Sequence, residues 1–278
     1  MRDQPLGESR SFRAFDASVP HPARMWNYWL GGKDHFAADR AAADRVTEGI
    51  PLMPVIARAT RRFTAGTVRG LAARGVRQFL DIGTGLPVAE PTHELAQQAI
   101  EAATGGGTAR DLRVVYVDND PLVASHARAL LVGREAGVTD YAQMDLRDAG
   151  EMLARAAETL DFRQPVAVLL AAVVHFVPDV DDPWAIMTRL RGALAPGSAL
   201  LVTHAASDIQ PDGVAAAIGC YNERALVPLT PRSHGQVSRF FDGMRLDGQG
   251  VLPAGRWLDP DAPGDGGMPA YFAVARPA

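Results

Sequence analysis

Residues 166–174 read VAVLLAAVV, nine positions without a polar side chain. The run is too short to span a membrane, which takes roughly 18 to 20 apolar residues. As a strand it is apolar on both alternating faces, so both faces must be covered. That points to an interior strand of a parallel sheet with helices on either side. The flanking pattern agrees. Residues 77–82, 113–117, 139–144 and 199–203 read as strands, and helical periodicity fills 92–103, 121–132, 151–160 and 182–194. Strands alternating with helices predict a doubly wound α/β fold. Two late strands, 248–257 and 271–276, follow a helix over 235–242. Such sheets bind ligands at the carboxyl ends of their strands.

Ahead of the sheet, residues 1–20 are polar and aperiodic and read as an arm. Residues 23–74 read as three helices. In the first, 23–30, Met25, Trp26, Trp29 and Leu30 share one face, and Arg24, Asn27, Tyr28 and Gly31 share another. The expected division is an arm with a helical lid over 1–74 and a sheet-bearing core with a C-terminal antiparallel hairpin over 75–278. The charge is −4, from 28 basic and 32 acidic residues, and the only basic block is Arg61-Arg62. A nucleic-acid partner is not expected, because phosphate binding needs a concentrated positive face. The single cysteine, Cys220, excludes an intramolecular disulfide and a Cys-rich metal site, and it reads as a semi-buried apolar residue. The N-terminus carries no apolar leader, so a cytoplasmic protein is expected, with no membrane partner. Nothing bears on the oligomeric state.

Four of the five strand ends carry polar groups: Asp81, Asp118, Asp145 and His175. After the first strand stands Asp81-Ile82-Gly83-Thr84-Gly85, whose glycines allow a tight turn and a ligand against the backbone. After the second stands Asp118-Asn119-Asp120. An acid at that place can accept both hydroxyls of a ribose, or it can be a solvated loop acid beside the cap of the next helix. After the third, Asp145 can accept from an adenine amino group while Leu146 packs on the ring, or it can simply cap a helix.

These residues resemble the class I S-adenosylmethionine-dependent methyltransferases. Four segments, ARMWNYWLGGKDHF from Ala23, LDIGTGLP from Leu80, VVYVDNDP from Val114 and HFVPDVDDP from His175, are more closely similar to an actinobacterial methyltransferase family long catalogued as a domain of unknown function. The resemblance implies a Rossmann-like, seven-stranded, mostly parallel sheet under an N-terminal helical lid. It implies S-adenosylmethionine as cofactor and a small-molecule methyl acceptor that it does not identify. The cofactor-binding residues it implies are Tyr28, Gly31, Lys33, Asp81, Gly83, Thr84, Gly85, Asp118, Asn119, Asp145, Leu146 and Ala171. The stretch Pro87-Val-Ala-Glu-Pro-Thr-His departs from the family's usual pattern.

Two rival readings remain. A nicotinamide-dependent oxidoreductase shares the strand-end acid, but Leu86-Pro87 follows Gly85 and the third glycine of Gly-x-Gly-x-x-Gly is missing. A non-catalytic binder of S-adenosylmethionine or S-adenosylhomocysteine would share every motif. No metal is expected. Lys33 is the only lysine among the 28 basic residues. It is either a point charge for the cofactor carboxylate or a solvated side chain at a helix end. His175 is either a general base or a residue that hydrogen-bonds the cofactor or a neighbouring carboxylate. Methyl transfer requires a base only when the nucleophile must lose a proton early.

Overall fold

The computed structural model describes residues 16–87, 90–107, 109–130, 137–223 and 225–278, with side chains 126–130 left aside. The arm read over 1–20 lies outside the described residues up to position 15. Three helices come first: α1 (Pro22–Trp29), α2 (Ala37–Gly49) and α3 (Met53–Ala73). Then β1 (Gln78–Ile82), α4 (Thr92–Ala103), β2 (Arg113–Asp118), α5 (Pro121–Leu130), β3 (Val138–Gln143), α6 (Ala149–Ala156), β4 (Val166–Ala171), α7 (Pro183–Gly192) and β5 (Ala199–Ala205) alternate. The chain closes with α8 (Pro211–Asn222), α9 (His234–Ser238), β6 (Met244–Leu246), β7 (Leu252–Pro253), α10 (Ala254–Leu258) and β8 (Ala270–Pro277).

The strands form one sheet in the order β3-β2-β1-β4-β5-β8-β6, with β7 also pairing β8. The first five run parallel, and β8 runs antiparallel to β5, β6 and β7. The period of two along each strand divides the core. Phe79, Val114, Ala167, Leu169 and Leu201 pack with Val68, Leu71, Leu95 and Ile100 of α3 and α4. Their neighbours Leu80, Val115, Val168, Leu170 and Leu200 pack on the other face with Met152, Met187 and Leu190 of α6 and α7. Each such side chain, fully buried, contributes about 1.5–3 kcal/mol. The α/β reading therefore holds, and its cause is this two-sided burial. No described helix is long and apolar enough to cross a membrane.

Two expectations need correction. The sheet has eight strands, not seven: Met244–Leu246 adds one, and 248–257 does not form one long strand. Gly248 and Gly250 turn with φ of 58° and 87°. Only Leu252–Pro253 pairs in that region, and the next residues coil into α10. The fourth strand stops at Ala171. Ala172 takes φ 59°, and its N–H is shared between Thr203 Oγ1 at 2.9 Å and Thr203 O at 3.3 Å. Val174 and His175 therefore lie in a 3-10 turn, Val174–Phe176, and not on the strand. An apolar run specifies burial; it does not specify extended backbone. On α1, both Arg24 and Asn27 of the second face are buried.

Candidate functional site

Beyond the carboxyl ends of β1, β2 and β4 lies a cleft of about 690 Å³. Its floor is the chain leaving each strand. Gly83 and Gly85 both turn with positive φ, 69° and 67°. A Cβ on Gly83 would stand 2.6 Å from Val173 Cγ2, whereas one on Gly85 would meet nothing within 4 Å. The first glycine thus lets the turn close against the chain leaving β4. The second leaves its surface open.

Asp118, at the end of β2, is 7% exposed. Its Oδ2 accepts from Gly85 N–H at 2.8 Å and its Oδ1 from Asp120 N–H at 2.9 Å. Burial pushes its carboxyl up, outweighing those two bonds and the nearby His21. One lone pair remains on each oxygen for a ligand. Asp81 is likewise pushed up by burial, although Thr92 Oγ1 donates to it at 2.6 Å and Arg61 lies close. Tyr116, next to it on the same sheet face, accepts from His93 N–H at 3.0 Å. Two buried acids beside one cleft suit a ligand that brings hydroxyl or ammonium donors.

Asp145 is differently placed. It accepts from Arg147 N–H, Nε and Nη2 at 2.9, 2.8 and 2.6 Å, and from Asn119 Nδ2 at 3.2 Å. Burial would raise its carboxyl, but the Arg147 bonds hold it below the usual range. All four lone-pair sites are occupied, so an adenine amino group would have to displace Asn119. Leu146 follows as part of the cleft wall.

Of the residues expected from the sequence, Gly31, Asp81, Gly83, Thr84, Gly85, Asp118, Asn119, Asp145, Leu146 and Ala171 all line this cleft. Tyr28, Lys33 and His175 do not. Tyr28 donates to Asp44 on α2 at 3.0 Å and meets the His35 ring edge-on, because its side of α1 packs toward α2. Lys33 is exposed. The turn carrying it is folded back onto Asn27, which accepts from Asp34 N–H at 3.0 Å and from Gly32 N–H at 2.8 Å. A Cβ on Gly32 would sit 2.4 Å from the Asn27 amide, so the glycine pair serves this close approach.

His175 lines a second, smaller cavity of about 60 Å³, almost wholly apolar. Its Nδ1 accepts from Ala205 N–H at 3.3 Å, which leaves the ring proton on Nε2. Burial, His204 and Arg232 drive its basicity well below that of an ordinary histidine. A ring with its proton already on the free nitrogen does not suit the role of general base. His204, near the end of β5, donates from Nδ1 to Ala205 O at 2.8 Å and accepts from Arg232 Nη1 at 3.1 Å. Burial pushes it down to about 3. Arg232 is itself fully buried against Asp179 at 2.6 Å. Cys220, read as semi-buried, is exposed.

Two arginines among the described residues line the cleft: Arg147, which is tied to Asp145, and Arg61 on α3. Ala57, Thr60, Arg61 and Thr64 of α3 all line it, spaced at i, i+3, i+4 and i+7 so that they share one face. Arg61 donates from Nη2 to Glu90 O. Burial lowers its basicity, and Asp81 and Glu90 counteract that. The signal was present in the sequence as a mixed stripe on α3, but it registered only as the pair Arg61-Arg62. His21 was missed too: its Nδ1 meets Asp120 Oδ2 at 3.0 Å and ties the start of α1 to the end of β2. Among the described residues no group of three or more His, Cys, Asp or Glu is placed to hold a metal.

A family model described as S-adenosyl methyltransferase matches residues 8–276. The chain is similar over 95% of its length to a DUF574-family protein from Streptomyces avermitilis, at 36% identity and a TM-score of 0.84, covering 99% of that chain. It is also similar to a protein from Thermobifida fusca solved as a candidate methyltransferase, at 34% identity and a TM-score of 0.81, covering 94% of this chain and 96% of that one. A more distant likeness is to the trans-methyltransferase CalH, solved with S-adenosylhomocysteine. At 14% identity and a TM-score of 0.50, covering 91% of this chain and 72% of that one, it speaks to the fold alone. No curated protein matches.

Proposed function

The chain belongs to the S-adenosyl methyltransferase family, and from that premise we propose that the cleft binds S-adenosylmethionine and that the protein transfers its methyl group to a small-molecule acceptor. When bound, the cofactor supplies a methyl already activated on a sulfonium, so the protein has chiefly to align it with a nucleophile. The observation that carries this reading is Asp118, a buried carboxylate held by the Gly85 N–H at 2.8 Å and facing an open turn.

The residues present fit the group. Asp118 would take the ribose diol through its two remaining lone pairs. The turn at Gly83-Thr84-Gly85 would lie under the sugar. Leu146 and Met144 supply apolar surface for adenine, and Asn119 rather than the saturated Asp145 offers it a polar partner. At the opposite end Asp81 would accept from the ammonium and Arg61 would pair with the carboxylate, the role that the sequence alone suggested for Lys33. Gly31 and Ala171 complete the wall, so the start of α1 and the turn after it serve as a lid whose closing contact is His21 to Asp120. On this reading residues up to 74 act as an appendage of the sheet-bearing core. With its Nδ1 accepting from Ala205 N–H, His175 would offer an acceptor an Nε2–H and not a base.

The test is calorimetry with S-adenosylhomocysteine, followed by incubation of the protein and methyl-labelled S-adenosylmethionine with small-molecule extracts of the source cell. Saturable binding and label in a protein-dependent product are expected. Binding without any labelled product would favour a non-catalytic binder. Absence of binding would refute both.

A further inference from the structure

The apolar cavity adjoins the cleft. Pro22, Trp26, Thr60, Ala172 and Phe176 line both. Ala172, at the junction, holds a left-handed φ of 59°, a strained conformation that persists only where its surroundings enforce it. These shared residues are all that stands between the two spaces, so the cavity lies one side chain's thickness from the cleft.

The cavity offers carbon and very few polar atoms. Trp29, Met53, Ile56, Val214, Ile218 and Leu229 make up much of its wall. Its polar side chains are mostly committed. Thr203 Oγ1 accepts from Ala172 N–H, Tyr221 donates to Val227 O at 2.9 Å, and both ring nitrogens of His204 are engaged. His175, 4% exposed, has its Nδ1 engaged by Ala205. Its Nε2–H has no recorded partner among the described residues. Among the described residues no charged side chain lines the cavity, and the Arg232 guanidinium behind His204 is paired with Asp179 and the Val177 carbonyl. An ion placed there would lose its hydration with no compensating charge. The loop that lines the adjoining cleft is apolar as well. Leu226, 49% exposed, lines the cleft with Val227 and Pro228.

We propose that this cavity is the acceptor subsite and that the methyl acceptor is an uncharged, largely apolar small molecule, its alkyl or ring end seated between α1, α3 and α8 with one oxygen or nitrogen lone pair on His175 Nε2–H. The proposal rests on reading the adjoining cleft as the methyl-donor site. At about 60 Å³ the cavity takes only the end of such a molecule, and the remainder lies in the cleft under Leu226.

The test uses the full chain with methionine methyls labelled with carbon-13, so that Met25 and Met53 on the cavity wall report occupancy by NMR. The protein is first titrated with S-adenosylhomocysteine and then, saturated, with cyclohexanone, methylcyclohexane or cyclohexanecarboxylate. Cyclohexanone is expected to shift Met25 and Met53, and the carboxylate to leave them unmoved. His175→Leu is expected to weaken cyclohexanone roughly five- to tenfold and to leave methylcyclohexane unchanged. If S-adenosylhomocysteine binds but cyclohexanone leaves both methyls unmoved, or the carboxylate binds as tightly, the acceptor inference falls while the donor site stands. If cyclohexanone binds and S-adenosylhomocysteine does not, the acceptor role falls together with the donor reading. An unchanged cyclohexanone affinity in a folded His175→Leu protein overturns the hydrogen bond. Should that variant not fold, the comparison of ketone with carboxylate on the unsubstituted protein still decides.

Discussion

Replacing Asp118 by alanine puts the cofactor assignment at risk most directly. In the free protein its two oxygens each accept one backbone N–H, from Gly85 and Asp120. The substitution therefore removes the acceptors for a ribose diol and also loosens the turn that the ligand rests on. A hydrogen bond to a charged group contributes about 1.5–3 kcal/mol net. Allowing for water filling the space, two of them lost amount to about 2–4 kcal/mol. That is roughly a 30- to 700-fold rise in Kd, since 1.4 kcal/mol is about tenfold. Calorimetry with S-adenosylhomocysteine at neutral pH measures it, with circular dichroism confirming that the variant is folded. Asp118→Asn should fall between the two, because its amide keeps one acceptor but turns an N–H toward one of the two backbone donors. Because burial raises the Asp118 carboxyl, affinity for the unsubstituted protein should also decline on acidification, as protonation removes acceptor capacity. A folded Asp118→Ala protein binding S-adenosylhomocysteine within about threefold of the parent, well short of the tenfold per 1.4 kcal/mol scale, would refute the argument from the β2 end.

Three other outcomes are expected. Arg61→Met should weaken S-adenosylhomocysteine about tenfold or more while leaving 5′-methylthioadenosine, which lacks the amino-acid group, unchanged, and Lys33→Met should alter neither; the cost corresponds to one charge-assisted bond, and equal effects of the two variants in the same titrations would restore the lysine. Asp39, fully buried, accepts from His21 and Phe36 N–H and pairs with Arg24 at 3.2 Å, so Asp39→Ala should destabilise the fold by about 3–5 kcal/mol, and a urea midpoint close to the parent's would contradict this. His204 is pushed down to about 3 by burial, so below the unfolded value near 6.5 the unfolded chain binds the extra proton and stability falls with pH; the loss is at most about 1.4 kcal/mol per pH unit for this residue, and His204→Gln should flatten the slope measured by denaturation between pH 6 and 4, a slope equal to the parent's counting against the assignment.

Local pattern was enough for the five parallel strands, though not for where β4 ends or how the C-terminal strands divide. The stretch 166–174 had to be covered on both sides, and the two faces of β1, β2, β4 and β5 do pack on different helix layers. The strand-end acids follow from the same fact. A parallel strand delivers whatever succeeds its last apolar residue to one edge of the sheet, so Asp81, Asp118 and Asp145 had to gather there, as their shared cleft shows. What the pattern alone did not contain was which partner each polar side chain would meet. Asp145 is saturated by Arg147 and by Asn119, which is 26 residues distant. His175 lost its strand end to the turn at Ala172 and found Ala205, 30 residues on. Arg61 reached the cleft and Lys33 did not, because α3 packs over β4 and β5 while Asn27 folds the glycine turn back on α1. Periodicity reports which side chains leave water, since burial is a property of each residue's own surface. Hydrogen bonds and ion pairs require two groups within about 3 Å in a set direction, and only the assembled packing of α1, α3 and the sheet brings such pairs together.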